Sequence, residues 1–357
     1  MGVDLNKLDL RQDVAQLSED LVNIESVSGD EALIADVIEH ALGDHVSVQR
    51  LGNTVVARTD HGHAERVVIA GHIDTVPVNG NLPARRDEHN LHGLGSCDMK
   101  GGVAIALRTA ATMPAPNRDI TYLFYECEEV EAERNGLTLL SQADPGLLEA
   151  DFAILMEPSG GVVEAGCQGT LGVDVLTRGE RAHSARSWKG VNAIHESAAV
   201  LALLNDYVPR RPVIDGLEFR EGLNAVAISG GVAGNVLPDL CRVSVNYRFA
   251  PDRSEEQAQA HLREVFDGFE IEVSDSAPGA LPGLAVPAAA AFIAAVGGTV
   301  NPKFGWTDVA RFSALGVPAV NFGPGDPQLA HKREEFVPLE QLSTVEQQLR
   351  AWLGEQP

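Results

Sequence analysis

An α/β fold is predicted, with a central mixed sheet in a metal-binding domain that is interrupted by an inserted α+β domain. Three observations carry this expectation. The apolar runs Val67–Ala70, Ile120–Tyr125 and Phe152–Met156 read as buried strands, and helical stripes lie before and between them. After Glu157 the pattern shifts to strands and helices in a β-α-β-β-α-β-like, ferredoxin-like order. Past the linker-like stretch Ala277–Gly283, helices and a strand of the first kind resume. A length of 357 residues fits about two domains. The predicted division is 1–167 for the first part of the catalytic domain, 168–281 for the insert and 282–357 for the second part.

In chain order, Leu10, Val14, Leu17, Leu21 and Ile24 form a helical stripe. Ser28-Gly29-Asp30-Glu31 has capping-box spacing for a second helix, with Leu33, Ile34, Val37, Ile38 and Ala41 facing inward and Gly43 as its stop. Val46–Val56 reads as a hairpin turning at Gly52-Asn53. Small residues from Lys100 to Met113 predict a helix ended by Pro114. After Glu157, Val162–Val175 reads as two short strands around Gly166 and Gly169, and 190–207 as an apolar-faced helix. Leu240–Phe249 alternates apolar and polar residues, as a half-exposed strand does. A helix over 254–266 and a strand over 269–273 complete the insert. The helix 286–296, the strand 319–322 and the helix 339–353 then return to the first domain.

Composition excludes several classes of function. The formal net charge of -24 argues against nucleic-acid binding, which needs clustered Lys and Arg. No apolar run approaches the ~20 residues that span a bilayer. The start of the chain lacks a basic segment followed by a hydrophobic stretch, so cytoplasmic residence is expected. Four cysteines without a Cys-x-x-Cys pair read as reduced thiols. One basic segment stands out: Arg178, Arg181, Arg186 and Lys189 surround His183, and would suit an anionic small-molecule substrate.

The chemistry-bearing residues sit at strand ends. Ligands of open α/β sheets bind beyond the carboxyl ends of the strands. There Val67–Ala70 is followed by Gly71-His72-Ile73-Asp74, Ile120–Tyr125 by Glu126-Cys127-Glu128-Glu129, and Phe152–Met156 by Glu157. Asp98 lies between glycine-rich turns and a helix start, and Ala330-His331-Lys332 supplies a late histidine. Two imidazoles and three or more carboxylates suit a pair of Zn²⁺, Co²⁺ or Mn²⁺ ions, with zinc the default. Gly93-Leu94-Gly95 is no dinucleotide fingerprint, because Asp98 stands where its third glycine belongs. Cys97 and Cys127 are neighbours of proposed ligands, and backbone alternation turns them away from the metal.

Taken together, Gly-His-x-Asp-Thr-Val-Pro at 71–77, Gly-x-x-Asp-Met-Lys-Gly-Gly at 95–102, the paired glutamates, Glu157-Pro158-Ser159 and the late histidine resemble the M20 metallopeptidase and deacylase family over nearly the whole chain. The resemblance implies that His72 and Glu157 hold one zinc, Glu129 and His331 the other, and Asp98 bridges them. Asp74 would fix the His72 tautomer, and Glu128 would be the general base. His183 in Ala182-His183-Ser184-Ala185 would stabilise the oxyanion, in relatives across a dimer interface. Asn235, Arg248 and Thr307 fall at substrate-binding positions, Arg248 as a fork for a carboxylate. The insert would be a lid and dimerisation domain of a homodimer.

Segments 125–130, 304–312 and 321–326 resemble the desuccinylase branch of that family. They imply release of succinate from N-succinyl-LL-2,6-diaminoheptanedioate in lysine and cell-wall synthesis. Acetylornithine deacetylase, aminoacylase and dipeptidase activities are the alternatives on the same scaffold. A catalytically silent binding protein would show a broken ligand or base, and none is broken. Gln168 and Trp306 depart from the branch pattern, where a cation and a small residue are usual, and both bear on the pocket for the succinyl carboxylate.

Overall fold

The computed structural model describes residues 8–354. In chain order it contains α1 (Val14–Val22), α2 (Ala32–Gly43), β1 (Ser47–Leu51), β2 (Thr54–Arg58), β3 (Arg66–His72), β4 (Arg85–Arg86), β5 (Asn90–His92), α3 (Gly101–Thr112), β6 (Asp119–Tyr125), α4 (Gly136–Ala143), β7 (Phe152–Leu155) and β8 (Val163–Ala165). There follow β9 (Gly169–Arg178), α5 (Ala193–Asp206), β10 (Val213–Ile214), β11 (Leu217–Glu218), β12 (Gly222–Gly230), β13 (Leu240–Phe249), α6 (Glu255–Val265) and β14 (Glu270–Ala277). The last elements are α7 (Pro287–Ala295), β15 (Val300–Pro302), α8 (Val309–Ala314), β16 (Ala319–Asn321), β17 (Phe336–Pro338) and α9 (Leu339–Trp352). Among the described residues no helix is long and apolar enough to cross a membrane.

The chain divides into two compact units, 1–165 with 283–301 and 311–357, and 166–282 with 302–310. The short segment 302–310, expected with the catalytic part, clusters with the insert. In the first unit an eight-stranded mixed sheet runs β1-β2-β6-β3-β7-β16-β8-β15. Its centre is parallel, with β3 between β6 and β7. These strands are buried along nearly their whole length, which is why they read as continuous apolar runs rather than as alternation. Helix α3 packs on β3 and β6, with α1 and α9 against α3. Its Gly102 permits the close approach, since a Cβ there would sit 2.2 Å from the Met156 carbonyl oxygen. The β1–β2 hairpin turns at Gly52, whose φ of 60° favours glycine.

The second unit holds a four-stranded antiparallel sheet in the order β12-β13-β9-β14, with α5 and α6 on one face. That is the βαββαβ arrangement expected of the insert. Leu171, Val173, Val175, Val243, Val245 and Tyr247 form its core with Val200 of α5 and Leu262 of α6.

Two local expectations fail. Helix α1 begins after Asp13, which caps it, so Leu10 and Ile24 lie outside the helix although Leu10 is buried. The capping box at Ser28 and Glu31 does not form, and α2 starts without a side-chain cap. Ser28 Oγ instead donates to Asp74 Oδ2 at 2.7 Å, and buried Glu31 accepts from the Gly29 and Cys127 N–H groups. Distant partners take the side chains that a local cap would have used.

Candidate metal centre

Parallel pairing aligns the carboxyl ends of β6, β3 and β7, with His72 opposite Tyr125 and Ala70 opposite Leu155. The three segments that follow therefore deliver their side chains to one place. After β6 the chain turns through Cys127 in the left-handed region, at φ 56°, which brings both Glu128 and Glu129 round after the strand ends. His72, Glu128 and Glu129 each place a ligand atom within 4.8 Å of the others. The same holds for His72, Asp98 and Glu157, and for Asp98, Glu129 and His331. Every residue expected to hold metal is thus in one connected cluster.

Asp98 joins its two halves. One oxygen lies 3.1 Å from His72 Nε2 and the other 3.5 Å from His331 Nε2. His331 Nε2 is also 2.9 Å from Glu129 Oε1. Asp74 stands behind the cluster, fully buried, with Oδ1 3.4 Å from His72 Nδ1 and its carbonyl oxygen 3.1 Å from the same nitrogen. That pairing directs His72 Nε2 toward Asp98. The Asp74 carboxylate also accepts the N–H groups of Glu128 at 3.0 Å and Glu129 at 3.1 Å. One side chain therefore orients a histidine and fixes the backbone of the paired glutamates.

The donor set fits a pair of divalent cations. Burial opposes the charge of His72, yet Asp74 and Asp98 raise its pKa well above the usual value. Asp98 and Glu129 push His331 up to about 10. Burial would raise Asp98, but His331 and His72 hold it below the usual carboxylate range. The converging carboxylates favour positive charge between them, a demand that a pair of divalent cations meets. A separate group, Glu31, Glu126 and Cys127, also comes within 4.8 Å. There the Cys127 thiol donates to Glu31 Oε1, and burial beside that glutamate pushes it up to about 12, so it stays protonated. Cys97 likewise turns its thiol to the Asp326 carbonyl oxygen.

The remaining sequence-predicted residues, His183, Asn235, Arg248 and Thr307, belong to the second unit. His183 is exposed; its Nδ1 accepts from the Ala185 N–H at 3.1 Å, which leaves Nε2–H as the outward donor. It bridges Val236, and Ser184 N–H donates to the Asn235 carbonyl oxygen at 2.9 Å, so these two segments are neighbours. Arg248 is half-buried; its Nε donates to Asn246 Oδ1 and no carboxylate lies within ion-pair distance among the described residues. Thr307 Oγ1 is buried without a hydrogen-bond partner among the described residues. Of the basic segment, Arg178 pairs with Glu270 and Arg181 with Asp239. Gln168 is buried and donates to the Arg220 carbonyl oxygen, and Trp306 Nε1 donates to that of Pro278.

Sequence reasoning missed Ser28, Glu31 and Glu335 as supports of the cluster. Glu335 is buried and accepts three backbone N–H groups of the Asp98 loop; burial raises its pKa to about 7 against those bonds. Its position four residues after His331 was the available signal.

Residues 68–354 match the model of peptidase family M20/M25/M40. A protein of Mycobacterium tuberculosis is 53% identical over 352 residues, covering 97% of this chain and 99% of the relative. One of Corynebacterium glutamicum, named succinyl-diaminopimelate desuccinylase, is 48% identical over 361 residues and 98% of each chain. In fold, the chain is similar to the aminopeptidase PepT of Bacillus cereus, with a TM-score of 0.77 over 97% of this chain and 98% of that one, at 20% identity.

Proposed function

This chain belongs to peptidase family M20/M25/M40 and is a hydrolase, and from that premise we propose that it removes succinate from N-succinyl-LL-2,6-diaminoheptanedioate, giving LL-2,6-diaminoheptanedioate for lysine and cell-wall synthesis. The name carried by the 48% identical relative supports the substrate. The observation that supports metal-dependent hydrolysis is Asp98 with one oxygen toward each of two histidines, inside a cluster that also contains Glu128.

His72, Asp98 and Glu157 would hold one ion, and Asp98, Glu129 and His331 the other. Zinc is the default, with Co²⁺ or Mn²⁺ as substitutes. Such a pair, when bound, supplies Lewis-acid polarisation of the amide carbonyl and a water acidic enough to attack at neutral pH. Glu128 takes one proton of the attacking water and delivers it to the departing nitrogen as the C–N bond breaks; the water oxygen stays on the carbonyl carbon and its second proton passes from the new acid to the amine, so the products are a carboxylate and an ammonium group. Asp74 keeps His72 and the Glu128 backbone in place. The half-buried guanidinium of Arg248, which has no ion-pair partner among the described residues, supports a role in forking onto a substrate carboxylate, with Asn235 and Thr307 as further contacts. The four free, buried thiols support a reducing, cytoplasmic setting.

We further infer a homodimer in which His183 acts across the subunit interface. At roughly 3.3 Å per residue, β13 alone spans about 26 Å from Leu240 to Arg248, and the His183–Val236 bridge lies beyond its Leu240 end. One small substrate does not reach both ends of one insert. Strand β12 is an edge, and Val226 and Ile228 on it are more than half exposed, an unpaired apolar rim suited to a second copy. His183→Ala is expected to lower kcat far more than it raises KM, because an oxyanion contact strengthens in the transition state. Mixing His183→Ala with Glu128→Gln chains should restore about a quarter of wild-type activity, since half the dimers are hybrids with one intact site. No recovery on mixing would place His183 in its own subunit's site or outside the chemistry.

The substrate reading is tested on a panel of N-succinyl-LL-2,6-diaminoheptanedioate, N-acetylornithine and simple dipeptides, each with zinc and after chelation. The succinylated compound should lead in kcat/KM by at least about 100-fold, and chelation should abolish turnover. Preference for acetylornithine or a dipeptide would assign the chain to another branch of the family.

A further inference from the structure

We propose that Glu335 is a positioning residue that holds the Asp98 loop against the metal centre and ties it to His331. The inference rests on the two-metal reading above and concerns how the shared ligand is kept in place.

Residues 93–98 form neither ladder nor regular helix; Gly93 and Gly95 both have positive φ. The backbone N–H groups of such a segment need acceptors from elsewhere once it is buried. Glu335 provides them for four of the six, while Leu94 N–H donates to the Asn81 carbonyl oxygen and Ser96 N–H to that of Gly93. Its Oε1 accepts from Cys97 N–H at 2.9 Å and Asp98 N–H at 3.0 Å, and its Oε2 accepts from Gly95 N–H at 3.0 Å. The Glu335 carbonyl oxygen adds Gly93 N–H at 3.2 Å. The loop is thus wrapped around one carboxylate that is 1% exposed.

The geometry links this anchor to the ligands. Asp98 meets one short segment twice, its backbone N–H at Glu335 and its Oδ2 3.5 Å from His331 Nε2, the nitrogen that would bind the same ion. Between the two, Glu335 N–H donates to the Lys332 carbonyl oxygen, closing a turn. Beyond it, β17 pairs with β5, Phe336 opposite His92, so the segment is fastened to the strand that leads into the loop. A ligand shared by two ions tolerates little displacement, because moving it changes both coordination spheres. All three side-chain bonds run to acceptor oxygens, a demand that an amide meets only in part.

The test compares wild type, Glu335→Gln and Glu335→Asp. Zinc affinities are read by competition with a chromophoric chelator, geometry by the visible absorption of the Co²⁺-loaded protein, and kinetics at saturating metal. Glu335→Gln should weaken uptake of at least one ion by about 10- to 100-fold, alter the Co²⁺ spectrum, and lower kcat by at least about tenfold with KM within about twofold. Glu335→Asp, which keeps the carboxylate on a shorter stem, should recover part of each loss. It carries the same readouts should Glu335→Gln fail to fold. Wild-type zinc affinities and kcat in the folded variants would overturn the proposal, including where only thermal stability falls. A wild-type chain that takes up fewer than two ions would instead overturn the two-metal reading itself.

Discussion

Glu128→Gln is expected to retain both metals while turnover falls by about 100- to 10,000-fold. The substitution keeps the shape of the side chain and removes its capacity to accept a proton. The loop is held through its backbone, since the N–H groups of Glu128 and Glu129 donate to Asp74. The two metal-ligand groups that contain Asp98 do not include Glu128 either. Metal analysis of the purified variant, followed by single-turnover kinetics, separates the two consequences. Turnover near that of wild type at full metal occupancy would mean that another group takes the proton.

The opposite pattern is expected of Asp98→Ala, which should lose metal and activity together. Each of its oxygens faces a different histidine, and it is common to both ligand groups. Removing it leaves each ion two of its ligands. Zinc affinity at both positions should therefore fall beyond the roughly 100-fold that a change outside the ligand set costs. Chelator competition with Asp98→Ala beside Glu157→Ala checks the assignment. The latter should weaken one ion chiefly, and loss of a single ion from Asp98→Ala would contradict a shared ligand.

The clustering of the candidate ligands was legible because strand ends are local features. A buried apolar run followed by His72-Ile73-Asp74, or by Glu128-Glu129 after β6, announces where polar side chains emerge, and parallel pairing brings such ends together. The insert was legible for a related reason: Leu240–Phe249 alternates over ten residues, and β13 occupies those residues. Ser28 and Glu31 misled because their spacing suits a cap while their partners, Asp74 and Cys127, lie far along the chain.

By itself, then, the order of residues determined which groups could bind metal and that an α+β insert would interrupt the larger sheet domain, since these follow from local periodicity and from residue chemistry. Only the folded arrangement decided that Asp74, Glu31 and Glu335 spend their carboxylates on backbone N–H groups, and that His183 and Arg248 stand at opposite ends of one sheet. The physical reason is that an N–H group becomes costly to leave unpaired only once folding has removed water from it. Which segments lose that water is settled by packing between residues remote in sequence.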